Sequence, residues 1–270
     1  MSLEYVHGYS EREGTRLADQ AATLTDLLHA GIRYPAGSLV LEAGCATGAQ
    51  TTILAGNSPG ASFVSVDISA ESLATARRQV RQAGYPNVTF QNADIFCLPL
   101  RPASFDHVFV CFVLEHLADP AGALQALRRV LKPGGSVTVI EGDHGSAYFH
   151  PDSRHARRAI ECLITLQQQA GGDAQIGRRL YPLLAAAGYR DVTVSPRMVY
   201  VDASKPGLAD GFTRRTFTAM VEAVGPQALE QGLMSPADWA TALADLGRAA
   251  EADGTFCYTF FKAAGVCPSR

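Results

Sequence analysis

The sequence predicts a doubly wound α/β protein on a mostly parallel sheet, with a helical cap inserted after the fifth strand. Three observations predict it. Short apolar runs alternate with helical stretches from residue 38 to residue 140. The connections between successive runs are a dozen or more residues long, which suits parallel strands joined by right-handed crossovers. The first run also closes on a glycine-bearing turn that opens into a helix, Ala43 to Gly48. At 270 residues the chain is long enough for one core plus a cap. Its composition, 47% hydrophobic and 18% charged, can fill that core, since an average globular protein is ~25% charged.

Residues 11–30 place Leu17, Ala21, Leu24, Leu27 and Leu28 at helical spacing behind a start signal at Tyr9 and Ser10. Ser38 to Glu42 reads as the first strand, and Ala49 to Ala55 as the helix after the turn. A second strand, Ser62 to Asp67, is followed by Ser69 as the N-cap of a helix reaching Gly84. Asn87 to Gln91 and Phe105 to Cys111 give strands three and four, and Pro99 and Pro102 keep the intervening loop open. A helix from Pro120 to Val130 stops at Leu131-Lys132-Pro133-Gly134-Gly135, which turns the chain into a fifth strand, Ser136 to Ile140. Beyond residue 145 the rhythm changes. Helices are expected at 153–170 and 176–187, two short strands at 190–201, a helical stretch at 206–250, and a last strand, Thr255 to Lys262, beside the fifth.

Composition narrows the function. The net charge is −3 and the basic residues are scattered, so no footprint for a phosphate backbone exists and nucleic acid is disfavoured as a partner. The longest apolar runs, such as Val108 to Leu114, fall far short of the roughly 18 residues of a membrane span. The N-terminus lacks the pattern of a secretion signal, so the cytoplasm is the expected location. Six cysteines without C-x-x-C or zinc-ligand spacing read as free thiols, with Cys111 and Cys257 as small hydrophobes inside apolar runs.

In a doubly wound sheet, ligands bind outside the carboxyl ends of the strands. After the first strand stands Glu42-Ala43-Gly44-Cys45-Ala46-Thr47-Gly48, whose small residues let backbone approach a nucleotide-like group. Asp67 ends the second strand, about 20 residues past the turn, as an acid that binds ribose does. Asn92-Ala93-Asp94-Ile95-Phe96 follows the third strand, a carboxylate beside two apolar side chains that suit an adenine ring. Phe112 to His116 follow the fourth, and Glu141-Gly142-Asp143-His144 the fifth.

Over residues 38–141 this ordered set resembles the class I S-adenosylmethionine-dependent methyltransferases. The family's acid-x-G-x-G-x-G motif stands here as Glu42 to Gly48, with Ala46 in place of the middle glycine, and the Lys132-Pro133-Gly134-Gly135 turn precedes the fifth strand. The resemblance implies a seven-stranded Rossmann-like fold, S-adenosyl-L-methionine as cofactor and methyl transfer to a small-molecule acceptor. It further implies that Gly44, Ala46 and Gly48 pass beneath the methionine and ribose portion. Asp67, with Ile68 beside it, would hold the ribose, and Asp94, Ile95 and Phe96 the adenine. Cys111 and Phe112 would border the methionine through the main chain, and Gln50 would face its carboxylate. Tyr9 and Arg16 are candidates from an N-terminal segment, residues 1–37, that closes over the cofactor. The whole chain, 1–270, reads as one methyltransferase domain, and residues 145–250 contain the cap that sets the acceptor.

For catalysis, His144 with Asp143 is the preferred acid/base or acceptor-binding pair, against a turn-capping role for both. His116 reads as structural. Glu141, Asp143 and His144 lack a further carboxylate to complete a metal site, so none is expected. Met198, Tyr200, Phe212, Phe217, Met220 and Trp239 are available for an acceptor pocket, against a core role. A non-catalytic cofactor-binding regulator is the alternative function. A nicotinamide-dependent oxidoreductase is less favoured, because G-x-G-x-x-G is absent.

Overall fold

The computed structural model describes residues 11–269. Among these, seven strands form one sheet in the order β3-β2-β1-β4-β5-β7-β6. Chain order begins with α1 (Glu11–Leu28), β1 (Leu39–Ala43), α2 (Ala49–Asn57), β2 (Ser62–Asp67), α3 (Ala70–Gln82) and β3 (Val88–Asn92). It continues with β4 (Phe105–Cys111), α4 (Pro120–Val130), β5 (Leu131–His150), α5 (Arg154–Gln169), α6 (Leu180–Ala186) and β6 (Arg190–Val201). Next come α7 (Pro206–Leu208), a π-helical segment (Ala209–Thr218), α8 (Ala219–Ala223), α9 (Gly225–Glu230), α10 (Pro236–Arg248) and β7 (Thr255–Val266). No described helix is long and apolar enough to cross a membrane.

The chain divides into two compact units. One, the glycine-turn unit, comprises Leu28–Glu141, Gly177–Ser195 and the residues from Phe261 onward. The other, the aromatic unit, comprises the described residues up to Leu27, Gly142–Ile176 and Pro196–Phe260.

In the glycine-turn unit β1 pairs in parallel with β2 and β4, β2 with β3, and β4 with β5. Parallel strands covered on both faces read as unbroken apolar runs. Accordingly Val40, Leu41, Val108, Phe109, Val110, Val137 and Val139 are all fully buried. The covering helices start where the sequence marks them. Ser69 caps α3 by accepting from Ser72 N, and Asp119 caps α4 by accepting from Gly122 N ahead of Pro120. Each then buries one face: Leu73, Ala76 and Val80 in α3, and Ala123, Leu124, Leu127 and Val130 in α4.

The aromatic unit is cored by Phe149, Phe212, Phe217, Phe256, Tyr258 and Phe260, all buried. Phe217 stands 4.8 Å from Phe256, and Tyr258 4.7 Å from Phe260, between ring centroids. Alternation along β7 delivers Phe256, Tyr258 and Phe260 to one face. The π-helical segment supplies Phe212 and Phe217.

Three sequence expectations need correction. Residues 190–201 form one strand rather than two, because Pro196 lies on an edge strand, where a missing N–H is tolerated. The stretch 206–250 is broken into several helices, one of them, Ala209–Thr218, π-helical. The fifth strand does not stop at Ile140 but runs from Leu131 to His150. Its second half is too polar to be read as a strand by pattern and lies past the last β4 pairing, Cys111 with Ile140, yet β7 neighbours β5 on the other side, and backbone pairing defines a strand. Glu141, Asp143 and His144 therefore sit within a strand and not in a loop past its end.

Candidate functional site

The turn after β1 is held by its own backbone. Gly44 N and Cys45 N donate to Val66 O at 2.8 and 3.0 Å, Gly48 N donates to Cys45 O at 2.9 Å, and Ala46 N donates to Asp67 Oδ2 at 2.8 Å. Gly44 and Gly48 have φ of 79° and 89°. A Cβ on Gly44 would lie 2.4 Å from Val113 Cγ2, and one on Gly48 2.9 Å from Ala76 Cβ, so both positions are closed to a side chain. Ala46 also takes positive φ, 44°, and so adopts the conformation that the family's middle glycine would favour, at the strain of an L-residue.

Asp67 is the latch of this turn. Its Oδ2 accepts from Ala46 N, and its Oδ1 accepts from Ser69 N at 2.9 Å. A carboxylate has about four lone-pair sites, so these bonds leave it capacity to accept a hydroxyl. Burial raises its pKa, with the Ser69, Ala46 and Ile68 N–H groups opposing the rise. Beside it, Asn92 Nδ2 donates to Asp67 O and Ile68 O, at 3.0 and 2.8 Å, and ties the ends of β2 and β3 together. Asp94 is exposed, its Oδ1 accepting from Phe96 N, and Ile95 is half-buried. Ile68 and Phe96 are 59% and 39% exposed, large apolar surfaces left open next to these acids.

Deeper in the same end of the sheet, Glu42 is buried and accepts from Thr51 Oγ1 at 2.7 Å and Ser65 Oγ at 2.6 Å, both at Oε2. Burial raises its pKa to about 7 against the pull of those hydroxyls. Cys111 is buried at the end of β4, and Phe112 follows with φ of 56°. The Phe112 N–H is engaged by Ile140 O at 2.9 Å, leaving carbonyl rather than N–H for a main-chain contact there. Gln50 meets His29, whose Nε2 lies 2.5 Å from Gln50 Oε1. Burial lowers the His29 pKa to about 4, so the ring is neutral and donates through Nε2, which turns the Gln50 amide N–H groups away from it.

Polar atoms without a hydrogen-bond partner among the described residues gather here: Glu42 Oε1, Thr47 Oγ1, His29 Nδ1 and Glu141 Oε2. Buried orphans of this kind are rare in a folded protein and ask for an explanation. Together with a turn closed to a Cβ at Gly44 and Gly48 and a latched carboxylate, they fit a small bound group at the carboxyl ends of β1, β2 and β4.

The structure thus brings Glu42, Gly44, Ala46, Gly48, Gln50, Asp67, Ile68, Asp94, Ile95, Phe96, Cys111 and Phe112 into one unit. Arg16, Asp143 and His144 belong to the other unit. Arg16 is buried, not on a solvated face, and donates from Nη1 to Gln20 Oε1 at 2.9 Å. Tyr9 lies outside the described residues. His144 is buried, with Nδ1 2.8 Å from Tyr258 Oη, and Asp143 Oδ1 accepts from Gly145 N at 3.1 Å. Tyr258 is buried in the alternating aromatic strand β7. Its hydroxyl also explains Gly142, where a Cβ would lie 2.3 Å away. Of the pocket candidates, Phe212, Phe217, Met220 and Trp239 are buried, whereas Met198 and Tyr200 are 60% and 45% exposed. Asn92, His29 and Ser69 were missed; Ser69 was legible only as a helix cap.

Residues 41–139 match the family described as a methyltransferase domain. An uncharacterized 37.1 kDa protein in transposon TN4556 of Streptomyces fradiae is 35% identical over 186 residues, 68% of this chain and 53% of its own length. The ubiquinone biosynthesis O-methyltransferase of Paracidovorax citrulli is 36% identical over 136 residues, 50% of this chain and 52% of that protein. The chain thus spans about half the length of these curated relatives. A structure of Haemonchus contortus phosphoethanolamine N-methyltransferase 2, in complex with phosphomonomethylethanolamine and S-adenosylhomocysteine, aligns with a TM-score of 0.57 at 18% identity. That alignment covers 93% of this chain and 53% of the other, and shows a shared fold. Fold and glycine-turn site define a Rossmann-like methyltransferase domain. The Rossmann-like fold and the match of residues 41–139 to a methyltransferase domain support the resemblance to the class I S-adenosylmethionine-dependent methyltransferases.

Proposed function

We propose that the chain transfers a methyl group from S-adenosyl-L-methionine to a small-molecule acceptor. The observation that carries this reading is the latch of Asp67 beneath Ala46: a turn whose Gly44, Cys45, Ala46 and Gly48 N–H groups are all engaged internally. A turn that cradles a pyrophosphate needs such groups free. This one offers carbonyls, apolar surface and a carboxylate, which suit an uncharged ribose and the methionine chain of a sulfonium nucleoside.

In this reading Asp67 accepts from the two ribose hydroxyls, and Ile68, Ile95 and Phe96 flank the adenine, with Asp94 as acceptor for its amino group. Gln50, oriented by His29, donates to the methionine carboxylate. The bound cofactor supplies an electrophilic methyl group on a positively charged sulfur. The protein aligns the acceptor's lone pair with that methyl carbon and excludes water from it. The acceptor's proton leaves to a base where its pKa demands one. His144, hydrogen-bonded to Tyr258, is our candidate for that step, with Asp143 beside it in sequence. The aromatic unit, within which most of residues 145–250 lie, sets the acceptor. The relatives' quinone-pathway name and the neighbour's phosphobase ligand support a small molecule as the class.

The test is calorimetric titration with S-adenosyl-L-methionine, S-adenosylhomocysteine and NAD. Micromolar binding of the sulfur nucleosides, none of NAD, and an affinity loss of at least thirtyfold in Asp67→Ala are expected. Preference for NAD, or an unchanged affinity in the variant, rejects the proposal.

A further inference from the structure

Two successive residues of β5 hold three successive N–H groups of the segment after β4. Ile140 O accepts from Phe112 N at 2.9 Å, and Glu141 Oε1 accepts from both Val113 N at 3.0 Å and Leu114 N at 2.8 Å. Phe112, at φ 56°, is in a left-handed conformation that a bulky side chain disfavours, so something must hold it there. The next side chain, Val113, packs where a Cβ on Gly44 would lie 2.4 Å from its Cγ2. Strand β5, the post-β4 segment and the glycine turn are therefore one mechanical series: Glu141, Val113, Gly44.

Glu141 itself is fully buried, and among the described residues its Oε2 has no hydrogen-bond partner. Burying that carboxyl group costs free energy, and an apolar residue in its place would leave the Val113 and Leu114 N–H groups without their acceptor. Burial raises its pKa well above the ordinary range and the neighbouring Glu115 adds to the rise, while the N–H groups of Leu114, Val113 and Glu115 oppose it. A neutral carboxyl still accepts two N–H groups through its carbonyl oxygen, and a glutamine in its place does the same.

We infer that Glu141 is a positioning residue of the cofactor site, holding Phe112–Leu114 so that Val113 stays seated against Gly44 beneath the methionine portion. The inference rests on the cofactor reading above. The experiment is titration of S-adenosylhomocysteine into wild type, Glu141→Gln, Glu141→Leu and Val113→Ala, with the Tm of each and amide exchange at Val113, Leu114 and Val110. Glu141→Gln binds within threefold of wild type. Glu141→Leu binds at least tenfold more weakly at a temperature where it is folded, and its exchange accelerates at Val113 and Leu114 but not at Val110. Val113→Ala loses about fivefold. A purely structural carboxyl would lower Tm in Glu141→Leu and leave affinity unchanged, and that result overturns the inference. Should Glu141→Leu not fold, wild-type affinity in Val113→Ala overturns it instead. A wild type that binds no S-adenosylhomocysteine rejects the cofactor reading, and this inference with it.

Discussion

At the amino ends of β1, β4 and β5, Asp106 accepts from Leu39 N at 2.9 Å and from Lys132 Nζ at 2.7 Å, with 31% of its side chain exposed. Those two donors, the Leu39 N–H first, hold its pKa below the usual carboxylate range. Level with the carboxyl ends of β1, β2 and β4 the pattern reverses: Glu42, Asp67 and, within β5, Glu141 are pushed up, in each case chiefly by burial. One edge places a charge where partners and water favour it. The other keeps acids where ionisation is disfavoured, and binding sites in open α/β sheets lie at that edge. Acids whose ionisation is favoured and acids whose ionisation is disfavoured thus stand at opposite edges of one sheet.

The largest expected effect tests how tightly the carboxyl end is built. Gly48→Ala forces an L-residue to φ 89° and sets a methyl 2.9 Å from Ala76 Cβ. Left-handed strain and overpacking together cost about 3 kcal/mol, to be read from urea unfolding. A loss under about 1 kcal/mol would mean that the turn relaxes freely.

Next comes pH. Glu42 has a folded pKa of about 7 against an ordinary 4.5, so between these values the folded state holds a proton that the unfolded state has released. Stability from this group falls as pH rises through that window and is level above it. His29, lowered to about 4 from 6.5, acts in the opposite sense, adding stability as pH rises from about 4 to 6.5. The two partly cancel in the wild type, so the quantity to measure is wild type minus Glu42→Gln. That difference declines by roughly 2 kcal/mol between pH 4.5 and 7, at ~1.4 kcal/mol per tenfold change in equilibrium. A flat difference would remove Glu42 from the set of disfavoured acids.

Asp106→Asn keeps an acceptor for Leu39 N but breaks the ion pair with half-exposed Lys132. It costs about 1 kcal/mol or less, and 1 M salt should shrink the gap between variant and wild type. The wild type loses this contribution as pH falls through the lowered pKa of Asp106, the opposite direction from Glu42. Smallest is Ala46→Gly, which relieves φ 44° at the expense of chain entropy in the unfolded state. A gain of about 0.5 kcal/mol is expected by thermal unfolding. A loss would show that the Ala46 methyl is packed.

The sequence by itself determined the order of strands and helices to Gly135, the helix cap at Ser69, and the identity of the residues at the strand ends. These signals are local: apolar period, cap chemistry and glycine turns act within a few residues. The seat of Asp67 at the end of β2 was legible for the same reason. Only the tertiary structure decided what those residues bond to. Ala46 takes the glycine conformation because Asp67, 21 positions on, accepts its N–H. Glu141 clamps a segment 28 and 27 residues before it. His144 meets Tyr258 across 114 residues, and β5 runs on through a polar stretch past its last β4 partner at Ile140, where β7 is its neighbour in the sheet. Contacts between residues far apart in the chain follow from which strands pair and which faces pack, and no window of sequence contains them.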